Sequence, residues 1–215
     1  NQTPAAASTV SGSGTIPMTV TVLDEDGNST VCNFNMIAVD TLVTQITCPS
    51  DIDGYVNGSC NFILADYTSS VVLLDNCEPL GSLTVTQSPP SGTTVSANQV
   101  ITMTVTGGTP ATPQTCAFTA VLLDTLSPTI VCPLGVAQYV DNSCTVPLLD
   151  YTSAGGVVVE NCPVSLTVTQ FPLPGTPVSV NPGELITLTV TDSAGNVGVC
   201  QMTSAIIDTL APTII

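Results

Sequence analysis

The sequence contains no lysine, arginine, histidine or tryptophan, while 16 Asp and Glu residues give it a formal charge of −16 over 215 residues. Without His or Lys, no Ser-His-Asp or Cys-His nucleophile, Schiff-base amine or imidazole-held transition metal can be assembled. Without Arg or Lys, no side chain can ion-pair with a phosphate or a nucleic-acid backbone, so nucleic acid is excluded as a partner. No apolar run reaches the roughly 18 residues that a membrane-spanning helix needs. Aromatics are only 4% of the chain, so any core must be built from β-branched and leucine side chains. The remaining polar chemistry is carboxylate, hydroxyl and amide, a set suited to hard cations and sugars. A paired-carboxylate hydrolase is the one enzyme class this composition accommodates. Its acids, however, are spread along the chain rather than gathered at one place, which argues that the chain is not an enzyme.

What the chain does have is repetition. Asp40-Thr41-Leu42 returns as Asp124-Thr125-Leu126 and as Asp208-Thr209-Leu210, a constant period in the numbering, 124 − 40 = 84 and 208 − 124 = 84. Cys32, Cys116 and Cys200 keep the same spacing, as do Cys48 with Cys132 and Cys60 with Cys144; Cys77 and Cys162 are one position further apart. A fixed period of this length is the signature of tandem modules. It predicts a C-terminal half-module over residues 1–45, a complete module over 46–129, and a second complete module plus the start of the next joint over 130–215. The Asp-Thr-Leu stretches are the joints: Ser127-Pro128 followed by Thr129-Ile130-Val131 keeps the chain extended from one module into the next strand.

Inside a module, apolar residues alternate with threonine, as in Ser82-Leu83-Thr84-Val85-Thr86-Gln87, Ile101-Thr102-Met103-Thr104-Val105-Thr106 and Ile186-Thr187-Leu188-Thr189-Val190-Thr191. That period of two predicts half-buried strands. With about seven short strands per module and Gly- and Pro-rich turns between them, the fold expected is all-β, a tandem array of immunoglobulin-like β-sandwiches stapled by disulfides. Residues 1–45 supply only half a sandwich, so their apolar strands should stand uncovered.

Nine cysteines in such a chain point to an oxidising, extracellular setting. Two pairings fit them. In one, Cys48 joins Cys60 and Cys77 joins Cys116, repeated as Cys132–Cys144 and Cys162–Cys200, with Cys32 left over. In the other, Cys32–Cys48, Cys60–Cys77, Cys116–Cys132 and Cys144–Cys162 leave Cys200 over. The first is favoured because the loop it closes between Cys77 and Cys116, 116 − 77 = 39 in the numbering, is typical of a bridge between the sheets of a sandwich.

Pro128-Thr129-Ile130-Val131-Cys132-Pro133, Asp66-Tyr67-Thr68 with Asp150-Tyr151-Thr152, Asp75-Asn76-Cys77 with Glu160-Asn161-Cys162, Thr84-Val85-Thr86-Gln87-Ser88-Pro89 and Asp192-Ser193-Ala194-Gly195-Asn196 form an ordered set. That set resembles the HYR (hyalin repeat) and related immunoglobulin-like repeats of giant Bacteroidetes cell-surface adhesins. The middle module departs from it, with Gly107-Gly108-Thr109-Pro110 where the Asp-Ser-Ala-Gly-Asn turn should stand. The resemblance implies an extracellular filament attached to the outer membrane, as in gliding adhesins, with neighbouring repeats and self-association as its partners. It also makes the Asp-Ser/Thr-aliphatic triplets at Thr41, Thr125, Thr209 and Ser193 O-glycosylation candidates. In a hyalin-like matrix protein, Asn28-Ser29-Thr30 and Asn57-Gly58-Ser59 would instead be N-glycosylation sequons.

No catalytic or organic cofactor residues stand out. The metal candidates are Asp40, Asp124 and Asp208, where a joint aspartate beside the acidic loops of the next module would suit Ca²⁺; the competing reading is that each merely caps its own turn. Asp24-Glu25-Asp26-Gly27-Asn28 lacks the twelfth-position glutamate of a calcium loop and reads as a two-residue Asp-Gly hairpin turn. The function expected is a structural stalk of a cell-surface adhesive filament. The alternative is a calcium-dependent or carbohydrate-binding recognition module, which would need an aromatic platform from Tyr55, Tyr67, Tyr139 or Tyr151.

Overall fold

The computed structural model of the chain describes residues 1–9, 13–77, 79–153, 156–180 and 183–212. Among these, the only helical element is a 3-10 turn at Leu80–Ser82; the rest of the regular structure is strand. The all-β expectation therefore holds. The chain forms two compact units, one of residues 1–52 and 63–121, the other of 53–62 and 122–215.

In the first unit, Gln2–Thr3, Gly14–Leu23 and Ser29–Ala38 make a three-stranded antiparallel sheet. Val22, Leu23, Val31, Phe34 and Ile37 remain more than half exposed, so this sheet has uncovered apolar surface. Its hairpin is closed by the Asp24–Asn28 segment, as a turn rather than a cation loop. Five residues connect Leu23 to its partner Ser29 instead of two, because Asp24 accepts from both the amide and the side chain of Asn28 at 2.7 and 2.9 Å. Gly27, at φ 89°, supplies the left-handed residue.

The threonine-alternating segments form the strands expected of them. Thr84–Ser88 and Gln114–Leu123 both pair antiparallel with Gln99–Thr106. Ile101, Met103 and Val105 are buried along one face of Gln99–Thr106, while its threonines keep access to solvent. In the second unit, Thr167–Phe171 and Val197–Thr203 flank Leu185–Thr191 in the same way. Ile186, Leu188 and Val190 are at most 1% exposed; burying each contributes about 1.5–3 kcal/mol. Ile186 and Leu188 pack with Val140, Leu148, Tyr151, Val178 and Ile206 in one cluster, against which Cys132 and Cys200 lie.

The bridges match neither expected pairing. Cys48 is bonded to Cys116 and Cys132 to Cys200, each across 68 positions with Cα atoms 5.6 Å apart, and Cys60 is bonded to Cys162. Thus Cys48–Cys60, Cys77–Cys116, Cys132–Cys144 and Cys162–Cys200 are all corrected. Loop length was a poor guide: closing about 69 residues instead of about 40 adds only about 0.5 kcal/mol of closure entropy. Packing decides instead, since Cys132 follows the strand Thr129–Val131 into the core cluster where Cys200, opposite Leu188, already lies. Each long bridge removes about 4 kcal/mol of denatured-state entropy on the loop-closure account. Cys32, Cys77 and Cys144 lie outside the three bridges.

Candidate metal centre

Each joint aspartate starts a turn. Asp40 Oδ1 accepts from the Leu42 amide at 3.0 Å, Asp124 Oδ1 from Leu126 at 3.0 Å and Asp208 Oδ1 from Leu210 at 2.8 Å. All three therefore cap their own turns. Capping uses only one carboxylate oxygen, however, and leaves the other to face something else.

At Asp124 two more carboxylates come close. Asp124, Glu160 and Asp192 each place an oxygen within 4.8 Å of the others, the one such group among the described residues. Three different segments of the second unit bring them there: the connector after Leu123, the end of the strand Val157–Val159, and the turn between Leu185–Thr191 and Val197–Thr203. Glu160 is held by its own loop, Oε1 accepting from the amides of Asn161 and Cys162 at 2.9 and 3.1 Å. Asp192 is clasped by Asn196, whose amide and side chain donate to Oδ1 and Oδ2, both at 2.8 Å. Only 6% of Asp192 is exposed, and this burial pushes its carboxyl up; the Asn196, Ala194 and Gly195 donors outweigh it, so the net displacement is below the ordinary 3.8.

Two buried oxygens of the group, Asp124 Oδ2 and Glu160 Oε2, have no hydrogen-bond partner. Three carboxylates converge in a chain without a single cationic side chain, and two of them bury acceptors that nothing satisfies. Such groups are costly unless paired or bound to a metal. The donor set fits a hard divalent cation. It is all oxygen, and a spread of up to 4.8 Å is about twice the 2.3–2.6 Å at which Ca²⁺ holds its ligands.

Neutral groups frame the site. Asn161 Nδ2 donates to Asp124 Oδ1 at 3.3 Å and Asn196 Nδ2 to the Asp124 carbonyl at 3.1 Å. The connector is seated by Gly198, where an added Cβ would lie 2.0 Å from the carbonyl oxygen of the fully buried Pro128.

The corresponding place in the first unit is built differently. Asp40 is 8% exposed with Oδ2 buried and unpartnered. Asp75 stands where Glu160 does, but it accepts a 2.6 Å hydrogen bond from Thr44 Oγ1. Position 108, which aligns with Asp192, is a glycine whose added Cβ would meet Thr44 Oγ1 at 2.5 Å. A hydroxyl therefore fills the space of the third carboxylate. Asp208 is exposed and belongs to no carboxylate group among the described residues.

The sequence singled out Asp124 among the candidate metal ligands but missed Glu160 and Asp192 as its companions. Their recurrence in Glu160-Asn161-Cys162 and Asp192-Ser193-Ala194-Gly195-Asn196 was the available signal. The hydroxyls of Thr41, Thr125, Thr209 and Ser193 sit on exposed residues. Tyr151 is buried and Tyr67 packs edge-on against Phe118 with ring centroids 5.3 Å apart. Only Tyr55 and Tyr139 are prominent at the surface, at 61% and 60% exposure.

No protein-family model matches the chain, and no curated protein does. Among solved structures, it is similar to protocadherin gamma B7 extracellular cadherin domains 1–4, at TM-score 0.39 and 11% identity over 90% of this chain and 57% of that one. It is also similar to the protocadherin gamma B4 extracellular domain, at TM-score 0.37 and 12% identity over 90% of this chain and 36% of that one. A third similar structure is the human desmocollin-1 ectodomain, at TM-score 0.27 and 12% identity over 94% of this chain and 48% of that one. The chain thus spans little more than half the length of these structures, or less.

Proposed function

We propose that the chain is a structural segment of an extracellular adhesive filament, a stalk of HYR-like immunoglobulin modules whose joint at Asp124 is locked by Ca²⁺. In this reading the modules run over residues 46–129 and 130–215, with 1–45 the end of a preceding one; the last three residues lie outside the described ones. The observation that carries it is the convergence of the connector carboxylate Asp124 on Glu160 and Asp192 with two buried oxygens unpartnered. The connector is held within the second unit at its carboxylate, its carbonyl and Pro128, which suits a stalk. Three disulfides support an oxidising exterior. Attachment at an outer membrane, a part in gliding and O-glycans on Thr41, Thr125, Thr209 and Ser193 belong to the same reading.

In the bound form Asp124 Oδ2, Glu160 Oε2 and an Asp192 oxygen would hold the ion. Its charge would compensate theirs and fasten three segments together. Calcium titration calorimetry on the intact chain tests this. The expected result is one site with a dissociation constant in the micromolar to millimolar range, a melting temperature that rises with Ca²⁺, and little response to Mg²⁺, which dehydrates reluctantly. Asp124→Asn with Glu160→Gln should abolish the heat. Equal responses to both ions in the native chain and in this variant would overturn the proposal.

A carbohydrate-recognition role is the second reading, favoured by Tyr55 and Tyr139, which stand one repeat period apart and are exposed to the same degree. Glycan-array binding that is lost on Tyr139→Ala would support it over a purely structural stalk.

A further inference from the structure

Cys60 sits in a tight turn. Its amide donates to the Asn57 carbonyl at 2.9 Å, the Asn57 amide to the Asn61 carbonyl at 2.8 Å, and the Ser59 amide to Asn57 Oδ1 at 2.9 Å. The turn is rebuilt around Cys144, one repeat period further on. The Cys144 amide donates to the Asp141 carbonyl at 2.9 Å, the Asp141 amide to the Thr145 carbonyl at 3.2 Å, and the Ser143 amide to Asp141 Oδ1 at 2.8 Å. Both cysteines adopt a left-handed backbone, with φ 56° and 61°. That conformation costs a residue with a side chain about 1–2 kcal/mol, and glycine would meet it without strain. A cysteine kept at such a position twice is kept for its sulfur.

What that sulfur does is visible at the first copy. Cys60 is bonded to Cys162 of Glu160-Asn161-Cys162, with Asn161 Nδ2 directed at the Asn57 carbonyl at 3.4 Å and at the Cys162 sulfur at 3.4 Å. The same turn at Cys144 is exposed and lies outside the bridges.

We propose that Cys144 forms the next staple of this kind, a disulfide to the acidic-Asn-Cys segment of a further module. The recognition chemistry is already in the chain. Asp75-Asn76-Cys77 repeats the bonded segment, with Asn76 and Cys77 exposed and Asn76 Nδ2 on the Cys77 sulfur at 3.0 Å as Asn161 Nδ2 is on that of Cys162. The bond forms by thiol–disulfide exchange with an external disulfide such as glutathione disulfide. The segment's cysteine first takes one glutathione and releases the other; the Cys144 thiolate then attacks that mixed disulfide and expels the second. Two protein thiols are thereby oxidised, and one glutathione disulfide is reduced to two thiols. The stapling reading rests on a covalent bond rather than on the cation site, so failure of the calcium proposal would leave it standing.

The test incubates the intact chain at high concentration in a glutathione redox buffer, with a second copy supplying the segment. Non-reducing electrophoresis should give a ladder of multimers, and peptide mapping with an acid-specific protease should find Cys144 joined to Cys77. Cys144→Ser should remove the ladder and Cys32→Ser should leave it. A chain that stays monomeric with Cys144 recovered as a thiol or glutathione adduct, or a ladder that persists in Cys144→Ser, would overturn the proposal.

Discussion

Asn161 Nδ2 lies 3.3 Å from Asp124 Oδ1, and the next residue, Cys162, is covalently bonded to Cys60. The segment that presents the carboxylate of Glu160 is thus anchored by sulfur two residues later. The candidate cation site and the disulfide share one short loop.

Asn161→Ala should therefore weaken calcium binding about tenfold without removing a ligand, as loss of groups that orient metal ligands does. Cys162→Ser should do the same by loosening Glu160. Calcium calorimetry reads both, and unchanged affinity in both variants would separate the loop from the site.

Gln170 is 5% exposed and makes three hydrogen bonds, accepting from the Tyr151 amide at 2.7 Å and donating to the carbonyls of Leu149 and Pro172 at 3.0 and 3.1 Å. Gln87 makes the same three contacts with Tyr67, Ala65 and Pro89 in a less buried setting. Gln170→Ala should cost about 2–4 kcal/mol by stranding buried backbone groups, and Gln87→Ala about 1 kcal/mol. Urea unfolding of each variant measures the difference. Equal losses would mean that burial does not set the cost.

Gly198→Ala should destabilise the second unit by about 3 kcal/mol or more, because its Cβ would have to displace the Pro128 backbone. Gly92→Ala, at φ 82° with open space around it, should cost only the strain of its backbone, about 1 kcal/mol. Thermal melting of the two variants checks the ranking.

Acid stability follows from the Asx turns. Asp66 is held below the ordinary 3.8 by the Thr68 amide and hydroxyl, and Asp150 by the Thr152 hydroxyl and amide. Because the folded carboxyl binds its proton less readily than the unfolded one, each contributes stability that is full above about pH 3.8 and is lost as pH falls through the folded value. Asp66→Asn with Asp150→Asn should therefore cost stability at pH 7, and the gap to the native chain should close below about pH 4. A gap that is constant from pH 7 to about pH 3 would contradict the turn assignment.

The strands could be read because Thr alternation over Ile101–Thr106 and Ile186–Thr191 marks one face for the core, and the period marked Asp124 as a connector residue. The bridges could not be read. Ring size discriminates weakly, and the choice of Cys116 over Cys60 for Cys48 depends on which strand ends meet in the core. Glu160 and Asp192 were hidden for a related reason, lying far from Asp124 along the chain, so only the tertiary fold brings them together. Gln87 and Gln170 sat inside a recognised motif, but nothing local distinguishes a clasping amide from a solvated one.

Under the calcium proposal, the hydroxyl that Thr44 offers Asp75, where Pro128 offers Glu160 none, would make successive repeats unequal toward the surrounding medium. If such modules continue in series, a fall in calcium would not soften the whole strand evenly. It would loosen those links that carry proline and spare those that carry threonine, so the identity of one residue per repeat would set where the strand bends and how far apart the bends lie.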